Sequence, residues 1–162
     1  MTGRWIKVVA AGWVRAAVAA GLAALALVGC DARGPAATEA LALSRPVALD
    51  QSRIIFFTPA HPMAWAASNT NVFVNRRRVG RLLRDGVFWA DVEPGRQIIS
   101  TSAETGVSTV LATRPGEVVF VELSDPLQIG IGYTLQSVLP RQVTEAEGRA
   151  AIATKRMVGT DF

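Results

Sequence analysis

The chain of 162 residues contains one cysteine and one histidine. A lone thiol closes no disulfide within the chain. A Ser or Cys nucleophile needs a base, usually histidine, and His61 is the only one on offer. Lysine is almost as scarce. Beyond the first thirty residues Lys155 stands alone, near the end of an expected helix, which leaves a Ser-Lys pair little support. His61 lies between Pro59 and Pro62, and Met63 follows. A His/Met pair is soft enough for copper but makes an incomplete site, and Met63 serves equally as core filler. No metal and no cofactor is expected. The formal charge of +4 is also misleading. Of seventeen Lys+Arg, three (Arg4, Lys7, Arg15) precede residue 30, leaving fourteen against thirteen Asp+Glu in the remainder. That remainder is nearly neutral, so the basic pI gives no reason to expect nucleic acid as a partner.

The first thirty residues form a separate pattern. Three basic residues and no acidic one lead into the apolar segment 16–28, which closes on Leu27-Val28-Gly29-Cys30. A charged start, a short apolar stretch and small residues before a cut site are the parts of a secretory signal. The four closing residues resemble the lipobox of bacterial lipoproteins. That resemblance implies cleavage after Gly29 and acylation of Cys30, which uses up the only thiol. An uncleaved span is the alternative, because residues 8–28 approach the length needed to cross a bilayer. Arg15 interrupts that run, and an uncut anchor has no need of a cysteine at its end. The expectation is a lipid-anchored protein of the bacterial cell envelope that faces the periplasm, its membrane partner reached through the acyl chains on Cys30. Asp31 resembles an inner-membrane retention signal of enteric bacteria; inner and outer membrane both stay open.

The remainder divides into residues 30–52, 53–157 and 158–162. The first is short of aromatics and reads as the acylated cysteine with a tether, or as an irregular opening loop. The last reads as a tail. Between them, short β-branched and aromatic runs alternate with turn residues every 8–12 positions, the spacing of a β-sandwich or barrel. Residues 53–58 form a continuous apolar run suited to a buried first strand. Residues 71–75 make a second extended segment, and 78–84 a third, rich in arginine. Asp85-Gly86 reads as a two-residue hairpin turn before residues 87–92. Pro94-Gly95 and Pro115-Gly116 mark further turns. Strands are expected over 97–102, 107–113, 117–123 and 129–138. Thr144-Glu145-Ala146-Glu147 opens a short C-terminal helix with a capping pattern, and Ala146, Arg149, Ala150 and Ala153 fall at helical spacing. Gly148 weakens that helix by about 1 kcal/mol relative to alanine. The fold class expected is mainly β, a small antiparallel β-sandwich with a short C-terminal helix.

The segment Asn71-Val72-Phe73-Val74-Asn75, with Val79-Gly80, Leu82, Gly86, Phe88, Val92 and Pro94-Gly95, is similar to DUF2846-type and PEGA-like domains. Pro115-Gly116, Val118, Phe120 and Val121 extend the likeness, and the segment from Tyr133 to Ile152 matches the closing strand and helix. In all it covers residues 69–152. It implies an immunoglobulin-like or prealbumin-like sandwich; the first family carries no established chemistry. Arg76 departs from the pattern by standing where a turn glycine is usual, so a longer hairpin is expected there.

Three groups of residues have chemistry to offer. Arg76, Arg77, Arg78, Arg81 and Arg84 crowd one expected hairpin, and guanidinium groups bind phosphate or carboxylate through paired hydrogen bonds. The anions of an envelope are lipid head groups, lipopolysaccharide phosphates and peptidoglycan carboxylates. The competing reading is a sheet edge charged against unwanted pairing. Asp91 and Glu93, two apart on a strand, share a face. They read either as a wet surface or as the paired carboxylates of a glycan hydrolase. Gly130-Ile131-Gly132 is half of a dinucleotide fingerprint with no helix after it, so a bulge or close backbone approach explains it better. Trp65 is read as core, with an interfacial loop as the alternative. The function expected is therefore a non-enzymatic binding or structural module contacting an anionic envelope component through the arginine hairpin. An envelope hydrolase and an accessory subunit of an envelope assembly, binding another envelope protein, are the alternatives.

Overall fold

The structure is a computed structural model that describes residues 32–59, 70–102, 108–124, 128–130, 133–135 and 138–159. Cys30, His61, Met63 and Trp65 lie outside the described residues. The elements run α1 (Ala37–Leu43), β1 (Ser52–Phe57), β2 (Asn71–Val74), β3 (Arg77–Arg81), β4 (Gly86–Val92), β5 (Gly95–Thr101), β6 (Ser108–Thr113), β7 (Val118–Ser124), β8 (Gln128–Gly130), β9 (Tyr133–Leu135), β10 (Leu139–Val143), α2 (Glu145–Ile152) and β11 (Arg156–Met157).

Two sheets make the expected β-sandwich. One has five strands in the order β10-β7-β1-β4-β11, the other four in the order β3-β2-β5-β6; β8 and β9 form a separate two-stranded sheet. The five-stranded sheet is mixed rather than antiparallel, since β1 runs parallel to β7 and β11 parallel to β4. Every residue of β1 is buried. Ile54 and Phe56 point between the sheets to meet Val72, Val74, Ile99 and Leu111, while Ile55 and Phe57 point outward to Ala37 and Ile152. Coverage on both faces is what a continuous apolar strand requires, and it accounts for the absence of alternation in the sequence.

Several expectations are corrected. Asp85-Gly86 does not close a hairpin, because β3 and β4 belong to different sheets; Asp85, at φ 51°, turns the chain across the sandwich instead. The two-residue hairpin is the one before it. Val74 pairs with Arg77, leaving Asn75 (φ 49°) and Arg76 (φ 68°) as the loop. Positive φ at both positions is the signature of the turn that matches strand twist, so the hairpin is not lengthened. The single strand expected over 129–138 is replaced by the β8–β9 pair, and β10 begins only at Leu139. Pro140 is tolerated in β10 because β10 is a sheet edge.

The expected tether is in part a docked element. Pro35 precedes an alanine- and leucine-rich stretch of high helix propensity, and α1 buries Ala37 completely. The N–H of Ala37 donates to the carbonyl of Lys155, and that of Ala32 to the carbonyl of Arg84. The expected tail also contributes to the core: Val158 is buried and its N–H donates to the carbonyl of Val87. Helix α2 carries the expected capping box, with Thr144 Oγ1 accepting from the N–H of Glu147 and the Glu147 carboxylate accepting from that of Thr144. Its buried face, however, is Gly148 and Ile152; Ala146, Arg149, Ala150 and Ala153 are exposed. A Cβ on Gly148 would lie 2.3 Å from Phe120 Cγ, so the glycine is what lets the helix settle on the sheet.

Candidate functional site: an arginine hairpin beside an open edge

The β2–β3 hairpin forms the free edge of the four-stranded sheet. Its turn is fastened by Asn75, whose side chain donates to Gln97 Oε1 (2.8 Å) and accepts from the N–H of Ile98 (2.9 Å). Gln97, itself buried, donates from Nε2 to the carbonyl of Glu93 at 2.6 Å. This chain of bonds ties the hairpin tip to the corner where β4 hands over to β5. A register shift between Val72 and Phe73 leaves Val79 as the extra residue of β3, and Val79 packs against the core. The strand thus keeps an apolar anchor although arginines surround it.

All five arginines picked out from the sequence are exposed. Arg76 occupies the turn, Arg77, Arg78 and Arg81 lie on β3, and Arg84 follows in the crossover. Among the described residues Arg76, Arg77 and Arg81 belong to no ion pair. Arg77 and Arg78 line a groove of about 790 Å3 that also takes in Val74, Val79, Asp91 and Glu93. Two of the five arginines, Arg77 and Arg78, thus share a groove with Asp91 and Glu93, while Arg76, Arg81 and Arg84 lie outside its lining.

The carboxylates are not equivalent. Asp91 is the register partner of Arg53 across β1 and β4. Its two oxygens accept from Arg53 Nε at 2.7 Å and Nη2 at 2.8 Å. Arg53 is 6% exposed, donates also to Ser44 Oγ at 2.8 Å and lies 5.2 Å from the centroid of the Trp89 ring. The hydrogen bonding to Asp91 raises the Arg53 guanidinium above its ordinary pKa, with burial acting in the opposite sense. Arg53 is the residue that sequence reasoning misses. The available signal is a charge opening a run buried on both faces, which demands a nearby counter-ion.

Lys155 is buried just beyond α2, and its Nζ sits 3.5 Å from Asp85 Oδ1 without forming a hydrogen bond. Gly130 ends β8, and the other two residues of its glycine motif lie outside the described residues. Among the described residues no helix is long and apolar enough to cross a membrane.

A mixed five-stranded sheet packed on a four-stranded one, with an arginine-bearing edge hairpin, defines a small mainly-β sandwich with two helices on its outer face. Residues 48–129, half of the chain, match the model of the DUF2846 family, described as a protein of unknown function. The chain belongs to that family. The matched region begins just ahead of β1 and ends within β8, so it takes in the buried first strand and stops short of β10 and α2. Comparison with the curated proteins and with the solved structures gave no match.

Proposed function

We propose that this protein is a lipid-anchored module of the bacterial cell envelope, held at the membrane through Cys30, that binds an anionic envelope component through the β2–β3 hairpin and acts without catalysis. The anchor reading is supported by the lipobox-like Leu27-Val28-Gly29-Cys30 after its apolar run. The binding reading is carried by one observation: Arg76 is held at φ 68° in the hairpin turn. A non-glycine residue there costs about 1–2 kcal/mol that glycine would not. The Asn75 and Gln97 bonds hold the turn in place around it. The turn presents the exposed Arg76 side chain at the tip, and its neighbours Arg77 and Arg81 present further guanidinium groups unpaired among the described residues. Protection of an edge strand needs charge on the strand, not at the turn.

The test is co-sedimentation of the full-length chain with isolated peptidoglycan and with lipopolysaccharide micelles. Retention on at least one of these, falling as salt is raised, is expected for the wild type. Replacing Arg76, Arg77 and Arg78 by glutamine is expected to weaken retention at least tenfold with the melting temperature unchanged. Equal retention of both proteins refutes the reading.

A further inference from the structure

A second surface lies on the far side of the five-stranded sheet from the hairpin. Between α1 and α2 the outer face is incompletely covered, leaving a cleft of about 350 Å3. That is at the lower end of the range for small-molecule sites, about 300–1,000 Å3. Its floor is apolar, made by Ile55, Val118, Phe120 and Ile152. Three arginines, Arg45, Arg53 and Arg149, line the cleft, and no carboxylate does.

The three cations differ in what they can still do. Arg149 is already paired with Glu145 at 2.7 Å, and its guanidinium carbon lies 5.9 Å from the Phe120 ring centroid, so it serves as a wall. Arg45 is exposed and has no ion pair among the described residues. Arg53 is the informative one. A guanidinium has five N–H groups; three donate to Asp91 and Ser44. The other two, one on each Nη, have no acceptor among the described residues, and the guanidinium borders the cleft. Buried donors of a charged group left unspent are costly and call for an acceptor.

We propose that this cleft binds a single-chain amphiphile with a carboxylate head, of the medium-chain fatty acid class. The carboxylate accepts from Arg53 with Arg45 at the mouth, and the chain lies along Ile55, Phe120 and Ile152. A planar carboxylate matches the paired donors of a guanidinium, and a volume of this size takes one chain rather than the two of a bilayer phospholipid. The cleft and the hairpin groove share no lining residue, although Asp91 of the groove bonds Arg53 of the cleft.

The experiment is photolabelling of the full-length chain in neutral detergent with a diazirine-bearing decanoate, the label being located by mass spectrometry. Label is expected on peptides carrying Leu41, Ile55, Phe120 or Ile152. Excess decanoate should reduce it at least fivefold; decylamine and phosphatidylglycerol should not. Ala42→Trp, which fills the cleft, and Arg45→Glu, which reverses its mouth, alter exposed positions and leave the Arg53–Asp91 pair intact. Each is expected to cut labelling at least fivefold at an unchanged melting temperature. Label spread along the chain, undiminished labelling of both variants, or equal competition by decylamine or phosphatidylglycerol overturns the proposal.

Discussion

Arg53 and Asp91 face each other across β1 and β4, and one guanidinium satisfies both carboxylate oxygens, at 2.7 and 2.8 Å. The pair makes the start of an otherwise apolar strand tolerable inside the protein. Asp91→Asn would leave Arg53 with its charge uncompensated. Loss of one partner of a buried pair costs about 3–5 kcal/mol; the Asp91 side chain is 32% exposed, so solvent relieves part of this. Urea unfolding of Asp91→Asn is expected to show a loss of about 2–3 kcal/mol. Joint replacement by Arg53→Met and Asp91→Leu should recover most of it.

Arg76→Gly separates recognition from folding. Relief of the left-handed backbone gives about 1–2 kcal/mol, and the greater freedom of glycine in the unfolded chain removes about 0.4–1 kcal/mol of that. Chemical denaturation is expected to show a net gain of about 0.5 kcal/mol. A clear loss of stability would mean that the arginine serves the fold, not a ligand.

Gly148 has the opposite character. Alanine there gains about 1 kcal/mol of helix propensity, but its Cβ meets the Phe120 ring, and overpacking costs about 1–3 kcal/mol. Gly148→Ala should therefore melt lower than the wild type, by about 1 kcal/mol of stability. The exposed position two residues on, as Ala150→Gly, should lose about 1 kcal/mol for the ordinary reason.

The capping box gives α2 a pH dependence. Glu147 is held below the ordinary carboxylate pKa, first by its hydrogen bond from the Thr144 backbone and then by that from the Thr144 hydroxyl. A depressed folded-state pKa contributes stability that is present above the unfolded value, near 4.3, and is lost as pH falls through the folded one. Thermal melts of wild type and Glu147→Gln should differ at neutral pH, with the wild type higher, and converge in strong acid. A gap that stayed constant down to low pH would show that the carboxylate charge plays no part.

What the sequence made legible is what neighbours decide locally. The continuous run at 53–58 reads correctly as a buried strand, and Thr144 with Glu147 correctly as a helix start. Asp85-Gly86 shows where this stops. Its turn chemistry is the same whether the chain folds back beside its own strand or crosses to the other sheet, and only the distant partners of β3 and β4 distinguish the two. Gly148 reads as a flaw in a helix because the ring that needs its missing side chain comes from β7.

The same limit applies to the site. The five arginines stand close together in sequence and are visible at once. That two of them, Arg77 and Arg78, share a groove with Asp91 and Glu93 is made by the packing of two sheets. The engagement of Asp91 by Arg53 depends on strand register between positions 38 apart, which no local pattern encodes.

The place of β1 between β4 and β7 has a further consequence for how the molecule is made. Its parallel neighbour is synthesised some sixty residues later, after the whole four-stranded sheet has been passed. Until residue 124 emerges, this buried, largely apolar strand has one side without a partner, and such contacts between remote segments form slowly and leave the nascent chain open to aggregation. A ribosome-bound fragment ending before β7 should accordingly depend on chaperones, and one ending after α2 should not.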